Sequence, residues 1–144
     1  MNRIHLIVAI LALAAPALSS AGDFPKGSPA FVHSYSDAVS AAKSSGKPAI
    51  IVFSAAWCGP CQVMKKEVYP SASVKPFHDK FVWAYLDVDE ASNEKAAAKF
   101  GVNGIPHIQF VNGEGKAIDK QIGATSPDAF AKTLAAVLKK AGAK

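Results

Sequence analysis

Two short runs of nearly continuous apolar residues stand out along the chain, Ala49–Ala55 and Phe81–Val88. Apolar runs of this length, rich in β-branched or aromatic side chains, are typical of strands that are buried on both faces. The turn sequence Asn112-Gly113-Glu114-Gly115 lies between two further strand-like segments and predicts a hairpin. A weaker alternation near the start predicts one more strand. The predicted strands are therefore Phe31–Tyr35, Ala49–Ala55, Phe81–Val88, His107–Val111 and Ala117–Ile122.

Segments with helical signals separate most of these strands. Ser36 can cap a helix that ends at Gly46, and Ser126-Pro127-Asp128 can open the last helix with a capping residue, a proline and an early acid. The predicted helices are Asp37–Ser45, a helix from Cys58 to near Pro70, a short stretch from Ser73 to Lys80, Ser92–Phe100 and a final helix after Ser126. Since strands joined through helices need crossover connections, this order predicts an α/β fold with a central mixed β-sheet flanked by helices on both faces.

The first 21 residues have the pattern of a secretory signal peptide. Arg3 provides a positive start, Ile4–Ala15 an apolar run of 12 residues, and Ser19-Ser20-Ala21 the small residues that cleavage requires. The run is too short to span a bilayer comfortably, and an uncleaved N-terminal anchor is the alternative interpretation. We therefore predict a signal peptide at 1–21, a flexible lead-in rich in Gly, Pro and Ser at 22–30, and one domain at 31–144.

Composition narrows the classes of function. The chain has 144 residues, of which 50% are hydrophobic and 19% charged, with a formal net charge of +5. These values exclude a disordered chain and fit one domain, which we expect to be a monomer. Arg3 is the only arginine and the lysines are scattered, so nothing indicates nucleic-acid binding. Two cysteines alone, Cys58 and Cys61, exclude a multi-disulfide scaffold.

The strongest chemical signal is Trp57-Cys58-Gly59-Pro60-Cys61, which directly follows a buried strand. A sulfur at the first turn of a helix faces unpaired backbone N–H groups and the positive end of the helix dipole, and both stabilise a thiolate of Cys58. Pro60 fits an early helical position. Cys61 begins an apolar stripe that faces the sheet, so it is expected to be buried one turn below an exposed Cys58 and within disulfide reach. Cys58 is then the attacking cysteine and Cys61 the resolving one.

Other interpretations of the cysteine pair are weaker. A structural bridge this short in sequence would contribute only about 2 kcal/mol by the chain-entropy estimate. The two cysteines could also be two ligands of a metal site. The chain offers no further ligands at a suitable spacing, because there is no other cysteine pair and the histidines show no paired spacing. A c-type haem would need a histidine directly after Cys61, where Gln62 stands.

With these residues the chain resembles the thioredoxin family. Trp57–Cys61 is similar to that family's active-site pentapeptide, Gly104-Ile105-Pro106 to its cis-proline segment, and the element order to its fold. The resemblance extends over roughly Phe31 to Leu138. It implies a thioredoxin fold and a redox disulfide between Cys58 and Cys61, with neither cofactor nor metal. The active-site loop would be completed by Trp57, Gly59 and Pro60.

The same resemblance implies a substrate platform beside the cysteines. Pro106 would be cis, and Ile105 would offer its backbone N–H and C=O to an extended substrate segment. Without the family, an ordinary trans proline that starts a strand would be the simpler interpretation of Pro106.

The chain also departs from the family. Val52 stands where thioredoxins place a buried aspartate, six residues before the first cysteine, and Tyr85 stands near the position of their buried lysine. That acid is thought to help deprotonate the buried cysteine, so water or another group must act here. His107 is a candidate, although a strand histidine that faces away from the sulfurs is the favoured interpretation.

Three remaining features receive structural interpretations. Trp57 is expected to pack beside the active site and shield the sulfurs, and Trp83 to belong to the core. Asp87, Asp89 and Glu90 form an acidic cluster at a strand end, for which a solvated loop is favoured over a cation site.

Taken with the resemblance, the sequence predicts an exported thiol:disulfide oxidoreductase that acts on protein disulfides. The bacterial periplasm is the favoured location. The Gly-Pro pair between the cysteines resembles the pair found in the reducing members of the family. A reductant in an oxidising compartment needs an electron donor, which implies a membrane thiol reductase as partner. The alternatives are a disulfide oxidase or isomerase on the same fold, and a binding module without turnover.

Overall fold

A five-stranded mixed sheet forms the centre of the protein in the computed structural model, which describes residues 23–142. The predicted signal peptide lies outside the described residues. The strands are β1 (Phe31–Val32), β2 (Ala49–Ser54), β3 (Val82–Asp87), β4 (His107–Val111) and β5 (Ala117–Ile122). Their spatial order is β1-β3-β2-β4-β5. β1, β3 and β2 are parallel, whereas β4 and β5 run antiparallel as a hairpin, so the predicted mixed sheet is confirmed.

Helices connect the strands and cover both faces of the sheet. They are α1 (Tyr35–Ser45), α2 (Gly59–Val63), which continues as a π-helical segment Met64–Val68, α3 (Glu94–Lys99) and α4 (Pro127–Lys140), with short 3₁₀ segments at Lys75–Lys80 and Ala91–Asn93. Within residues 23–142, no helix is long and apolar enough to cross a membrane.

Alternating side chains of the central strands build two cores. Ile50 and Val52 of β2 face the side on which α2 and α4 pack, while Ile51 and Phe53 face the side of α1 and α3. The first core also contains Met64, Val68, Tyr69, Trp83, Ile108, Phe110, Phe130, Leu134 and Val137. Trp83 is 2% exposed, which confirms that it belongs to the core. Burial on both faces explains the continuous apolar runs of the sequence.

The beginning of α1 differs from the prediction. Ser34, not Ser36, caps the helix, since its Oγ accepts a hydrogen bond of 3.1 Å from the N–H of Asp37. The predicted first strand is therefore only two residues long, because the chain turns into α1 at Tyr35. Gly46 ends the helix in the left-handed conformation (φ 71°), as predicted.

Ser73 and Ser92, where two further helical segments were predicted to begin, are not their N-caps, which are Val74 for Lys75–Lys80 and Asn93 for α3. The Ser73 hydroxyl donates to the carboxylate of Asp128, at the start of α4, instead of to its own segment. Ser92 lies inside a 3₁₀ turn before α3, and the Nδ2 of Asn93 donates to the carbonyl oxygen of Asp87. At Ser73 a partner 55 residues away has replaced the local one, which local sequence signals do not reveal.

Residues 23–30, in the predicted flexible lead-in, pack on the α2 side of the sheet through one aromatic ring. Phe24 stacks on Phe31 at 4.5 Å between ring centroids and meets Tyr85 edge-on at 5.0 Å. The Nζ of Lys65 lies 4.5 Å from the centroid of the Phe24 ring. The sequence interpretation assigned this segment no packing role, and Phe24 has one.

Candidate active site

The two cysteines lie where β2 ends and α2 begins. Cys58 is the N-cap of α2, and Pro60 occupies an early position of the helix, as predicted. Cys58 and Cys61 form a disulfide, with 5.2 Å between their Cα atoms. The apolar side chains that start at Cys61 face the sheet. From Met64 the helix has π-helical hydrogen bonding, in which the Tyr69 N–H donates to the Met64 carbonyl oxygen at 3.0 Å. This change of helix type was not predicted.

Backbone groups surround the Cys58 sulfur. The N–H of Cys61 donates to Cys58 Sγ at 3.3 Å, which is the interaction that would stabilise a thiolate after reduction. On the other side, Cys58 Sγ lies 3.7 Å from the carbonyl oxygen of Ile105. Ala55, Val88 and Ile105 enclose the pair.

Both cysteines are buried in the disulfide form. Cys58 is 5% exposed and Cys61 1% exposed. The expectation that Cys58 is exposed is therefore wrong for this state, because the loop at Ile105 and the end of β2 close over it. The order of accessibility, with Cys58 above Cys61, agrees with the prediction.

The segment before β4 completes the site. The Ile105–Pro106 peptide bond is cis, and Pro106 is buried. Its carbonyl oxygen accepts a hydrogen bond of 2.8 Å from the N–H of Gly123, which has a φ of 89° that suits glycine alone. Ile105 is half-buried and packs directly against the two cysteines. The structure thus brings Ile105 and Pro106 to Cys58 from a distant part of the chain.

Trp57 is placed differently from the expectation. Its side chain is 70% exposed, so it does not bury itself over the sulfurs. Its Nε1–H donates to Asp89 Oδ2 at 2.7 Å, while Asp87 Oδ1 accepts from the N–H of Asp89 at 2.8 Å. Part of the acidic cluster therefore fixes the turn after β3 and orients Trp57. Among the described residues, no group of three or more His, Cys, Asp or Glu side chains is placed to hold a metal ion.

Val52 and His107 lie on opposite faces of the sheet. Val52 is 1% exposed in the core beneath α2. His107 pairs with Phe53 across the strands and packs edge-on against its ring at 5.7 Å, on the side of α1 and α3. Its Nε2 bonds to Gln109 Oε1 at 3.0 Å. This arrangement supports the interpretation in which His107 faces away from the sulfurs.

A pair of hydroxyl groups lies beneath α2 that the sequence interpretation missed. Ser54 Oγ, in a fully buried residue at the end of β2, is 2.6 Å from the hydroxyl of Tyr85 on β3. Tyr85 pairs with Val52 in the strand register. Only this register brings Tyr85 to Ser54, since no local signal connects residues so far apart in the chain.

The comparisons with known proteins agree with this geometry. Residues 35–138 match the model of the thioredoxin-like domain family. Thioredoxin 2 of Chlorobaculum tepidum is 35% identical over 91 residues, which cover 63% of this chain and 79% of the relative. A chloroplastic thioredoxin-like protein of Arabidopsis thaliana is 35% identical over 82 residues, 57% of this chain, and the match spans only 31% of that longer relative.

Solved structures show the same architecture. The solution structure of a thioredoxin from Thermus thermophilus superimposes with a TM-score of 0.69 at 25% sequence identity, and the match covers 76% of this chain and 88% of that one. The sheet order and the position of the cysteine pair are those of an α/β thioredoxin fold.

Proposed function

Because the chain belongs to the thioredoxin-like domain family, we propose that it is a thiol:disulfide oxidoreductase that reduces or exchanges protein disulfides through a Cys58/Cys61 dithiol–disulfide cycle. The observation that carries this proposal is the Cys58–Cys61 disulfide at the first turn of α2, directly against Ile105. A bridge over so few residues contributes little to stability, so its position favours chemistry over support.

The reduced protein would act in two steps. The Cys58 thiolate attacks one sulfur of the substrate disulfide, forming a mixed disulfide and releasing a substrate thiolate, which takes up a proton. Cys61 then loses its proton and attacks Cys58 Sγ, so that the Cys58–Cys61 bond forms and the second substrate thiol leaves. Two electrons pass from the protein dithiol to the substrate disulfide.

The substrate would bind as an extended segment beside the cysteines. The carbonyl oxygen of Ile105 lies 3.7 Å from Cys58 Sγ and the residue precedes β4, which supports pairing of its backbone groups with a strand of the substrate. Backbone pairing selects no particular side chain, which suits a range of protein substrates. Trp57, the residue directly before Cys58, is 70% exposed and would offer an apolar surface to the same segment.

The compartment and the direction of the reaction belong to the same proposal. The apolar run Ile4–Ala15 with its positive start supports export, most simply to a bacterial periplasm. Gly59 and Pro60 between the cysteines support net reduction. A reductant in that compartment would receive its electrons from a membrane thiol reductase. The protein itself would act as a monomer. Thiol trapping of cells that produce the full chain tests the direction: a largely reduced Cys58/Cys61 pair is expected, and a fully oxidised pair would indicate an oxidase.

The roles of the two cysteines are tested with single variants. Reduced wild-type protein should reduce a model protein disulfide, Cys58→Ser should be inactive, and Cys61→Ser should accumulate the mixed disulfide, detectable by mass spectrometry. With limiting iodoacetamide, Cys58 of the reduced protein should be labelled first, because its thiolate is stabilised and its sulfur is the more accessible. Equal trapping by both variants, or first labelling of Cys61, would contradict the assignment.

A binding module is separated from an enzyme by removing both sulfurs. Cys58→Ser/Cys61→Ser retains the fold and the Ile105 platform but has no redox chemistry. Full biological activity of this double variant in cells would reject the enzymatic proposal.

A further inference from the structure

We propose that Tyr85 is a positioning residue for the resolving cysteine Cys61 and that it acts through the neighbouring side chains of Ser54 and Gln62. This inference rests on the proposed function, because it concerns the second step of the exchange.

The hydroxyl of Tyr85 joins the ends of two adjacent strands. It lies 2.6 Å from Ser54 Oγ, and Ser54 is the last residue of β2 and fully buried. The large majority of buried hydroxyl groups are hydrogen-bonded, because an unpaired one costs free energy. Without the Tyr85 hydroxyl, Ser54 would have to find another partner, and the end of β2 that leads into the cysteine loop would shift.

The same hydroxyl reaches α2 through Gln62, the residue that follows Cys61. The Gln62 side chain lies near enough to the Tyr85 phenol to lower its pKa, and its Nε2 donates to the carbonyl oxygen of Ala55, the residue after Ser54, at 3.1 Å. That carbonyl also accepts the N–H of Cys58 at 3.2 Å. Ala55 packs against both cysteines. One phenol therefore connects β2, β3 and the first turn of α2.

Tyr85 holds these groups as a neutral hydroxyl. Burial raises the pKa of Tyr85, the hydrogen bond with Ser54 lowers it by less, the charge of Asp87 raises it and the nearby Gln62 side chain lowers it by the least. The net result is a raised pKa, so the phenol does not act as a base near neutral pH.

Position matters more for Cys61 than for Cys58. Cys61 is 1% exposed, and its thiolate must approach Cys58 Sγ in line with the bond that breaks. In that step the Cys61 proton goes to solvent, the Cys58–Cys61 bond forms, and the departing substrate thiolate takes up a proton. Attack by Cys58 on an incoming substrate uses the backbone N–H of Cys61, which the helical turn itself holds, but does not depend on where the Cys61 sulfur lies. A loss of Tyr85 should thus slow the second step and leave the first unchanged.

The test compares Tyr85→Phe and Gln62→Met with Tyr69→Phe as a matched control. Tyr69 lies in the same core, and its hydroxyl is buried without a hydrogen-bond partner among the described residues. Stopped-flow reduction of a model protein disulfide by each reduced protein gives the rates of both steps across pH. We expect Tyr85→Phe and Gln62→Met to slow resolution roughly tenfold over the whole pH range with an unchanged first step, and Tyr69→Phe to match the wild type.

Three results would overturn the inference. Resolution at the wild-type rate in Gln62→Met, or in a folded Tyr85→Phe, would remove the connection between the phenol and Cys61. An equal loss in both steps would indicate general loosening of the site. A wild-type protein that forms no mixed disulfide would reject the proposed function as well, and this outcome is visible before any variant is made. If Tyr85→Phe does not fold, Gln62→Met decides, since Gln62 is only half-buried.

Discussion

At the scale of single residues, the environment of Cys61 is set by what stands at position 52. Val52 is 1% exposed and is surrounded by apolar side chains of the sheet and of α2. Such an environment disfavours a buried thiolate, because little there solvates the charge. The hydroxyls of Ser54 and Tyr85 are the nearest polar side chains of this face in the strand register. They carry no charge that could take up the proton of Cys61.

Introducing a carboxyl group at this position should therefore help the second step. In Val52→Asp, desolvation raises the pKa of the new carboxyl group, which could then accept a proton from Cys61 near neutral pH. Resolution should be slow in the wild type near neutral pH, accelerate as pH rises, and be faster in the variant. The variant should lose about 2 kcal/mol of stability. Stopped-flow reduction of a model disulfide across pH measures the rate, and identical profiles would show that position 52 is not coupled to Cys61.

A second residue predicts a pH dependence of stability. Burial raises the pKa of Tyr69 well above its ordinary value of 10.0, and the nearby Tyr85 raises it further. A folded-state pKa above the unfolded value means that this stability contribution is complete below pH 10 and is lost as pH rises beyond it. Tyr69→Phe should shift alkaline unfolding to higher pH and leave neutral stability within about 1 kcal/mol.

Circular dichroism during alkaline titration checks this expectation. Tyr35→Phe is the control, because the Tyr35 hydroxyl is paired with the Gly115 carbonyl oxygen at 3.3 Å. Equal alkaline midpoints for Tyr69→Phe and the wild type would show that ionisation of Tyr69 does not drive the unfolding.

At the scale of elements, the signals that begin and end helices decide where the cysteine loop starts. The cysteine pair and Pro60 begin α2 where expected, because a cap and a proline act through local backbone geometry. Ser34 and Ser36, directly before and within the first turn of α1, carry nearly the same signal, and only the folded structure distinguishes them. Ser34 Oγ bonds to the Asp37 N–H, whereas Ser36 Oγ bonds to Ser34 Oγ at 3.2 Å.

The different hydrogen bonds of Ser34 and Ser36 predict different effects of their removal. Ser34→Ala should lower the free energy of unfolding by about 1 kcal/mol, as the loss of an N-cap does. Ser36→Ala, two residues later on the same helix, should lower it by less than half as much. Urea denaturation of the two variants under the same conditions measures both values. A larger loss in Ser36→Ala would show that the helix begins at the position that the sequence alone suggested.

At the scale of the whole molecule, two cores on opposite faces hold the sheet, and the N-terminal segment secures one of them. The Phe24 ring packs against the rings of Phe31 and Tyr85, and the ammonium group of Lys65 makes a cation–π contact with it. Lys65 belongs to the helical segment that continues α2. The segment before the first strand thus contacts the helix that bears Cys61.

Phe24→Ala should therefore destabilise the protein although it lies before the first strand. Loss of the ring contacts with Phe31, His33 and Tyr85 and of one cation–π contact is expected to cost about 1–2 kcal/mol. Asp23→Ala, at the exposed neighbouring residue, is the control and should change stability by less than about 0.5 kcal/mol. Thermal unfolding measures both. Equal melting temperatures for Phe24→Ala and the wild type would mean that the segment contributes nothing to the folded state.

The sequence by itself determined the elements and the reactive pair. Val, Ile and Phe in unbroken runs predict β2 and β3, and Asn112–Gly115 predicts the hairpin, because burial and turn formation depend on side chains that are close in the chain. The approach of Cys61 to Cys58 follows in the same way from their spacing on one helical turn.

Only the tertiary structure decided which contacts form across strands and between distant loops. Ile105 against Cys58, Asp89 with Trp57, Tyr85 with Ser54 and Phe24 on Tyr85 each join residues far apart in sequence. The face on which His107 lies depends on strand register, which reverses every side chain when it shifts by one residue. Local patterns specify which residues form a strand or helix, whereas the partner of each buried polar group depends on how all the elements pack together, since that packing decides which donors and acceptors meet.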